Sequence, residues 1–252
     1  MGAPLRKSLA YEAGKNGSQW GESQELLRLV EEAGFAIVKR NYAPGEAMGG
    51  SEVRAALYVL TSGTARLAWE RSVGPEVTLG LLKEWDVFGA LRFFGGTTRG
   101  IQTHAVTPCE VATLPRPMLE AALGRDPRIA LKLVSLQDAQ LTRYEEFVAR
   151  ISPRGTLPRL AWLLLSLSES FPEKRPVVSR AVTIGLRLTQ EDLAAMTVAS
   201  REAISLAMGQ LRRQGAVEAH KGAITVVDRE KLRKIMAGRG GRVPEVRAAF
   251  VG

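Results

Sequence analysis

Near Pro115 the hydrophobic pattern of this chain changes period, and that change confines it to a sheet-forming part followed by a helix-forming part. Upstream, from about Phe35 to Leu114, apolar residues come in short β-type runs: Phe35-Ala36-Ile37-Val38, then stretches at 56–60, 65–69, 77–81 and 110–114. Turn pairs at Pro44-Gly45, Ser62-Gly63 and Gly74-Pro75 separate them. Runs this short and this regularly broken point to an antiparallel barrel or jelly roll. Downstream, Asp126-Pro127 reads as a cap with proline at the first helical position, opening a long helix that ends near Ile151. Along it Ile129, Leu133, Leu136, Gln140, Tyr144, Phe147 and Ile151 recur at intervals of four and three, a coiled-coil type of stripe. A second apolar set, Leu131, Val134, Leu141 and Val148, lies on another face. We expect the first stripe to form a parallel dimer seam and the second to face the barrel. The alternative packs the first stripe on the barrel.

Ser152-Pro153-Arg154-Gly155-Thr156-Leu157-Pro158 interrupts the helix with the composition of an interdomain hinge. Beyond an apolar helix over 159–170, a loop and a short strand over 182–188, two helices are opened by capping hydroxyls at Thr189 and Ser200. Leu193, Ala194, Ile204, Met208 and Leu211 can lock that pair into a helix-turn-helix, and Gly215 suits the position just past the second helix. The runs 216–219 and 223–227 then flank His220-Lys221-Gly222, a hairpin with a basic tip: a wing. Each element alone is common. Their order is specific to winged-helix DNA readers.

In such a reader the first turn of the second helix meets base edges. Arg201 suits the two acceptors of guanine, and Glu202 can accept from cytosine N4. Thr189, Gln190, Ser200, Ser205, Arg212 and Lys221 complete the candidate DNA-contacting set, mainly toward phosphates. The charge balance agrees: 35 Lys and Arg against 26 Asp and Glu leave a net charge of +9, which favours a polyanionic partner. The single cysteine, Cys109, excludes an intrachain disulfide and any iron-sulfur or zinc site built on four thiolates of one chain. His104, His220 and Cys109 stand apart in sequence and form no nucleophile-base pair or metal spacing, so an enzyme and a metal centre are not expected. The longest apolar run, Leu160 to Leu165, is too short to cross a bilayer, and the start carries no secretory apolar core. A cytoplasmic protein without a membrane partner is the expectation.

With roll, long helix, hinge and winged helix in this order, the chain resembles the CRP/FNR family of bacterial transcription regulators over about residues 24–230. The residues that carry the resemblance are 58–63 in the roll, Trp85-Asp86-Val87-Phe88-Gly89, Arg99, Leu188-Thr189-Gln190-Glu191-Asp192-Leu193-Ala194, and Ser200-Arg201-Glu202. Within the family, Phe88-Gly89-Ala90-Leu91 and Ile184-Gly185-Leu186-Arg187-Leu188 are similar to the nitrogen-regulator branch. The resemblance implies an α+β chain: a flexible segment 1–23, a cyclic-nucleotide-binding-type β jelly roll 24–126, a dimerisation helix 127–152, a C-terminal winged helix-turn-helix 153–230 and a basic tail 231–252. It implies a homodimer on pseudo-palindromic double-stranded DNA, with RNA polymerase as a further partner.

The resemblance also implies an effector pocket at Phe88, Gly89, Ala90, Leu91, Arg99, Gln140 and Glu145. Cyclic-nucleotide binders of the family carry a ribose-holding glutamate where this chain has Ala90, so cyclic AMP in its usual pose is not expected. The nitrogen-regulator branch binds 2-oxoglutarate through a helix arginine that here falls on Gln140, a neutral amide in place of a charged fork. The expected effector is 2-oxoglutarate, another anion, or none, with Arg99 either its anchor or an exposed loop cation. Gln140 can instead specify the seam.

Two reader positions depart from the family. Val198 stands where a glycine is usual, which predicts a remodelled turn or differently spaced helices, because a β-branched residue disfavours positive φ. Leu206 replaces an arginine and can touch only a thymine methyl. These departures keep a rival reading open, a ligand-binding roll acting through protein contacts with vestigial DNA affinity.

Overall fold

The computed structural model describes residues 17–49, 56–89, 100–173 and 181–237. The β-type runs pair, all antiparallel, into two four-stranded sheets. One has the order β1 (Val38–Tyr42), β8 (Cys109–Pro115), β3 (Ala56–Ser62), β6 (Val87–Phe88). The other runs β2 (Ala47–Met48), β7 (Ile101–Ala105), β4 (Ala65–Trp69), β5 (Val77–Leu82). Strand β3 shows why the runs read as apolar without alternation. Tyr58 and Leu60 join the roll interior, while Leu57 and Val59 join a second core beneath helices, so both faces are buried. The run expected at 35–38 is displaced: only Val38 is in a strand, and Phe35 instead carries the Arg125 guanidinium over its ring at 4.6 Å.

That second core is built by α1 (Gly17–Glu32), α2 (Arg116–Arg125) and α3 (Arg128–Ile151). Leu26, Leu29 and Val30 of α1 pack with Ile129, Leu133 and Leu136 of α3, and the buried Ser23 donates to the Trp85 carbonyl at 2.7 Å. The expected flexible segment 1–23 therefore overlaps a helix from Gly17 on; local propensity hides it, because α1 opens on Gly, Ser and Gln. At the other end of α2, the Asp126 carboxylate accepts the Arg128 N–H at 2.9 Å, doing the capping that its place before Pro127 suggests.

Helix α3 reverses the expected assignment of its two faces. Ile129, Leu133, Leu136 and Gln140 are buried against the chain's own roll, whereas Leu131, Val134, Leu141 and Val148 are 56 to 71% exposed. The two sets lie on opposite sides of one helix. The roll-facing side continues through Arg143, Phe147 and Arg150, which keep the four-three spacing. Tyr144 keeps its expected place, packing with Phe147 against Leu67, Val77 and Leu79 of the roll, and the two arginines share that side with it.

The hinge is Ser152 to Gly155, and Pro158 falls in the first turn of α4 (Thr156–Ser170), where a missing N–H costs nothing. Every residue from Leu160 to Ser168 is buried, so α4 is the centre of the reader domain rather than one of its walls. Around it lie β9 (Val182–Thr183), α5 (Gln190–Thr197), α6 (Arg201–Arg213), β10 (Val217–His220), β11 (Ala223–Val226) and α7 (Arg229–Ala237). Leu232 and Met236 of α7 are part of this core, so the domain runs past the boundary expected at 230. Leu81 of the roll belongs to the same core, and Arg159 ties the hinge to the reader by donating to the carbonyls of Pro153 and Thr197.

Candidate nucleic-acid interface and effector pocket

The start of each reader helix is fixed by its own side chains. At α5 the Thr189 hydroxyl accepts the Asp192 N–H at 3.1 Å while Asp192 accepts the Thr189 N–H at 2.8 Å, a reciprocal capping box. At α6 the Ser200 hydroxyl accepts the Ala203 N–H at 3.2 Å. Between them Val198 adopts a left-handed conformation, φ 53° and ψ 52°. The expected remodelling of the turn does not occur: a valine takes the left-handed geometry usual for glycine, and the Ala199 N–H closes onto the Ala194 carbonyl. Helix α6 ends at Gly215, φ 61°, where the N–H groups of Gly215 and Ala216 bond back to Arg212 and Leu211.

The wing is a two-residue hairpin with Lys221 and Gly222 both at positive φ, the turn that matches strand twist. Arg187 donates to the Lys221 carbonyl at 3.0 Å, and β9 adds a third strand. Arg201, Glu202, Ser205 and Leu206 lie exposed along one side of α6, with Gln190 exposed at the start of α5 and Arg212 and Lys221 exposed further out. Leu206 is 71% exposed, an apolar side chain left largely open by the described residues. The Glu202 carboxyl is held below its ordinary range by hydrogen bonds to its own N–H and to Ser200, so it stays ionised and turned onto the helix start.

The second site lies between the roll and α3. A cavity of about 60 Å³ is lined by Met48, Tyr58, Phe88, Gln102, Gln140 and Arg143, among others. Phe88 stacks on Tyr58 with ring centroids 5.0 Å apart. Gly89 turns the chain at φ 83°, and a Cβ there would come within 2.7 Å of the Ala56 carbonyl, so the backbone can pass only as glycine. From α3, Gln140 donates to the Val87 carbonyl at 3.2 Å and Arg143 reaches the same carbonyl at 3.5 Å. Arg143 also pairs with Asp86 at 3.1 Å, both nearly buried, and its stem crosses Gly80 of β5, where a Cβ would sit 3.1 Å from its Cδ.

Two turns further on, Arg150 is 2% exposed and donates to the Thr78 and Leu79 carbonyls of β5; burial lowers its pKa to about 10. Glu146 lies between the two arginines, and burial, only partly offset by Arg143 and Arg150, raises its carboxyl to about 7. Burial also lowers the Lys83 pKa, despite the nearby Asp86 carboxylate.

The expected pocket residues are therefore divided. Phe88, Gly89 and Gln140 line the cavity, while Glu145 is exposed on the opposite side of α3, on the stripe of Leu141 and Val148. Ala90, Leu91 and Arg99 lie outside the described residues. Sequence reasoning missed Arg143, although its place three residues after Gln140 and four before Phe147 put it on the roll-facing stripe. His104 also stands closer to other donors than its sequence suggested, since Glu70, Glu76 and His104 bring ligand atoms within 4.8 Å of one another. Glu76 is held there by Arg66 at 2.7 Å. Cys109 is a buried thiol donating toward the Thr64 and Thr107 carbonyls, and burial raises its pKa.

Comparison with known proteins decides the family. A model described as the Crp-like helix-turn-helix domain matches residues 158–235, and one for the cyclic nucleotide-binding domain matches residues 39–126. The chain is a CRP/FNR-family transcription regulator. This CRP/FNR regulator is 28% identical over 172 residues to the global nitrogen regulator of Nostoc sp., covering 68% of this chain and 76% of that protein. It is 25% identical over 215 residues to the anaerobic regulatory protein of Bacillus subtilis, covering 84% and 87%. Its fold matches a CRP/FNR-family transcriptional regulator from Thermus thermophilus with a TM-score of 0.66 and 24% identity, over 81% of this chain and 100% of that one. The c-di-GMP responsive global regulator CLP of Xanthomonas campestris matches with a TM-score of 0.68 and 19% identity, over 81% and 98%. The relatives are named as regulators rather than enzymes, and with the matched helix-turn-helix domain they lend no support to the reading with vestigial DNA affinity. Among the described residues no helix is long and apolar enough to cross a membrane.

Proposed function

We propose that this CRP/FNR regulator binds a pseudo-palindromic DNA site as a homodimer, with Arg201 and Glu202 reading bases in two successive major grooves. The observation that carries the reading is the outward side of α6, where Arg201, Glu202, Ser205 and Leu206 are presented together by a helix capped at both ends. Thr189, Gln190, Ser200, Arg212 and Lys221 surround that side and suit the flanking phosphates. Dimerisation uses the exposed stripe of α3, where Leu131, Val134, Leu141 and Val148 leave four large apolar side chains on one side of the helix in water. RNA polymerase is the further partner that activation at a promoter requires.

The roll binds a small anion, for which 2-oxoglutarate is the leading candidate. Arg143 supports this reading, because it returns to the pocket the cation that Gln140 lacks. Asp86 already balances part of that charge, which suits a ligand with one acidic group directed at Arg143 and the rest among Phe88, Leu67 and Ile101. The Val87 carbonyl occupies both donors in the free protein, so an acidic ligand would compete with β6 for α3.

Selection from a random duplex pool tests the DNA reading. The wild type should enrich a two-fold site, and Arg201→Ala should lose preference at one base pair per half-site and weaken binding to the specific site by about 1–3 kcal/mol. Recovery of no duplex motif would refute it.

A further inference from the structure

The Arg201 guanidinium carries an ion pair that base reading alone does not require. Its Nη1 lies 3.2 Å from Glu191 Oε1, with both side chains more than 60% exposed. Glu191 belongs to α5, not to the reading helix. It stands inside the capping box of Thr189 and Asp192, which fixes the backbone that carries it. The carboxylate next to Arg201 in sequence, Glu202, is turned onto Ser200 and its own N–H instead. Two separately capped helix starts thus deliver one guanidinium and one carboxylate to the same exposed spot.

We infer that Glu191 is a specificity-determining residue, holding one end of the Arg201 guanidinium so that the remaining N–H pair meets a base in a single orientation. A guanidinium has five N–H donors in a planar fork, so with Nη1 on a carboxylate the edge formed by Nε and Nη2 stays free for guanine O6 and N7. In water such a pair contributes little. Against a duplex, water is excluded and the effective dielectric falls, so the attraction strengthens and an unmatched carboxylate beside phosphates becomes costly. A duplex that offers guanine lets Arg201 bridge base and carboxylate. One that does not leaves Glu191 facing the phosphate backbone with its partner misdirected, a repulsive element against wrong sites.

The inference rests on the proposed base-reading role of Arg201, and the test separates the two. Wild type, Glu191→Ala, Glu191→Gln, Arg201→Ala and the Glu191→Ala, Arg201→Ala double variant are titrated against the selected site. Each is also titrated against versions substituted at the base pair whose preference Arg201→Ala removes. Glu191→Ala should lower discrimination at that pair roughly five-fold, the scale of one ion pair, chiefly by tightening binding to the wrong duplexes. Glu191→Gln, which keeps the acceptor without the charge, should fall between. In the Arg201→Ala background the Glu191 substitution should leave discrimination at that pair unchanged, altering affinity for all duplexes alike. An unchanged ratio in Glu191→Ala, or an equal change with Arg201 absent, would overturn the inference and leave the role of Arg201 standing. If Arg201→Ala alone keeps full base preference, the base-reading assignment falls and the inference with it. A melting temperature of Glu191→Ala matching the wild type controls for folding, as expected for so exposed a side chain.

Discussion

Gln140 and Leu141 are neighbours in the chain and face opposite worlds: Gln140 is 5% exposed with its amide on the Val87 carbonyl, and Leu141 is 56% exposed. The division predicts two different phenotypes on one helix. Leu141→Glu should shift sedimentation from dimer to monomer with little change in secondary structure. Leu133→Ala should leave assembly intact and lower the unfolding free energy by about 2–5 kcal/mol in denaturant titration. The opposite pattern would favour the reverse assignment of the two stripes.

Asp138 and Glu145 occupy the places between Val134, Leu141 and Val148 on the exposed stripe. In a parallel pairing each would meet its own copy, and like charges opposed across a seam are unfavourable. Asp138→Asn combined with Glu145→Gln should therefore tighten the dimer several-fold in sedimentation equilibrium at low salt, with a smaller gain at high salt.

Arg143→Gln should abolish stabilisation by the anionic effector, and should also lower the unliganded melting temperature, because it leaves the buried Asp86 carboxylate without its partner. A ligand at about 100 times its dissociation constant adds about 2.7 kcal/mol to the stability of a protein that binds it only when folded. Thermal shift with 2-oxoglutarate and with cyclic AMP reads this directly. An equal shift in wild type and variant would remove Arg143 from the site.

Glu146 gives a pH dependence with a definite sign. Its folded pKa, about 7, lies above its ordinary value of 4.5, so the folded state holds a proton that the unfolded chain has released. Stability from this group is complete below about pH 4.5, declines as pH rises toward 7, and is lost above it, by at most about 3 kcal/mol. Glu146→Gln should accordingly raise the melting temperature at pH 8 and leave it nearly unchanged at pH 4.5. A gain of equal size at both values would refute the assignment.

Val198 pays for the turn of the reader. A β-branched residue in the left-handed region is strained by about 1–2 kcal/mol, and Val198 is 39% exposed, so little burial offsets it. Val198→Gly should raise the melting temperature by a few degrees, reduced somewhat by the greater freedom of glycine in the unfolded chain. A fall would mean that the valine side chain contributes more than its backbone costs.

Much of the reader is legible from residue types with local rules. Thr189, Ser200, Gly215 and Lys221-Gly222 each act within a few residues of themselves, and the structure puts each to the use that its type suggests. The long-range choices are less legible. Both faces of α3 carry apolar residues at helical spacing, and nothing in the spacing says which partner each face meets. Arg143 and Arg150 escape a search for an apolar stripe, which discards arginine, although a long stem can lie on a sheet while its head finds carbonyls. Glu191 is invisible as a partner of Arg201 because their pairing exists only once α5 and α6 cross.

Leu81 is a residue of the sensor that completes the interior of the reader. The two halves of the chain are thus neither beads on a string nor separable parts for engineering. Cutting at Ser152 would leave an apolar notch in the excised reader, and transplanting that reader onto another sensor would require a leucine, or its volume, to be supplied from the new host. Any rearrangement of β5 is also felt as a change in how well the reader is packed. Signal and stability are drawn from the same few side chains.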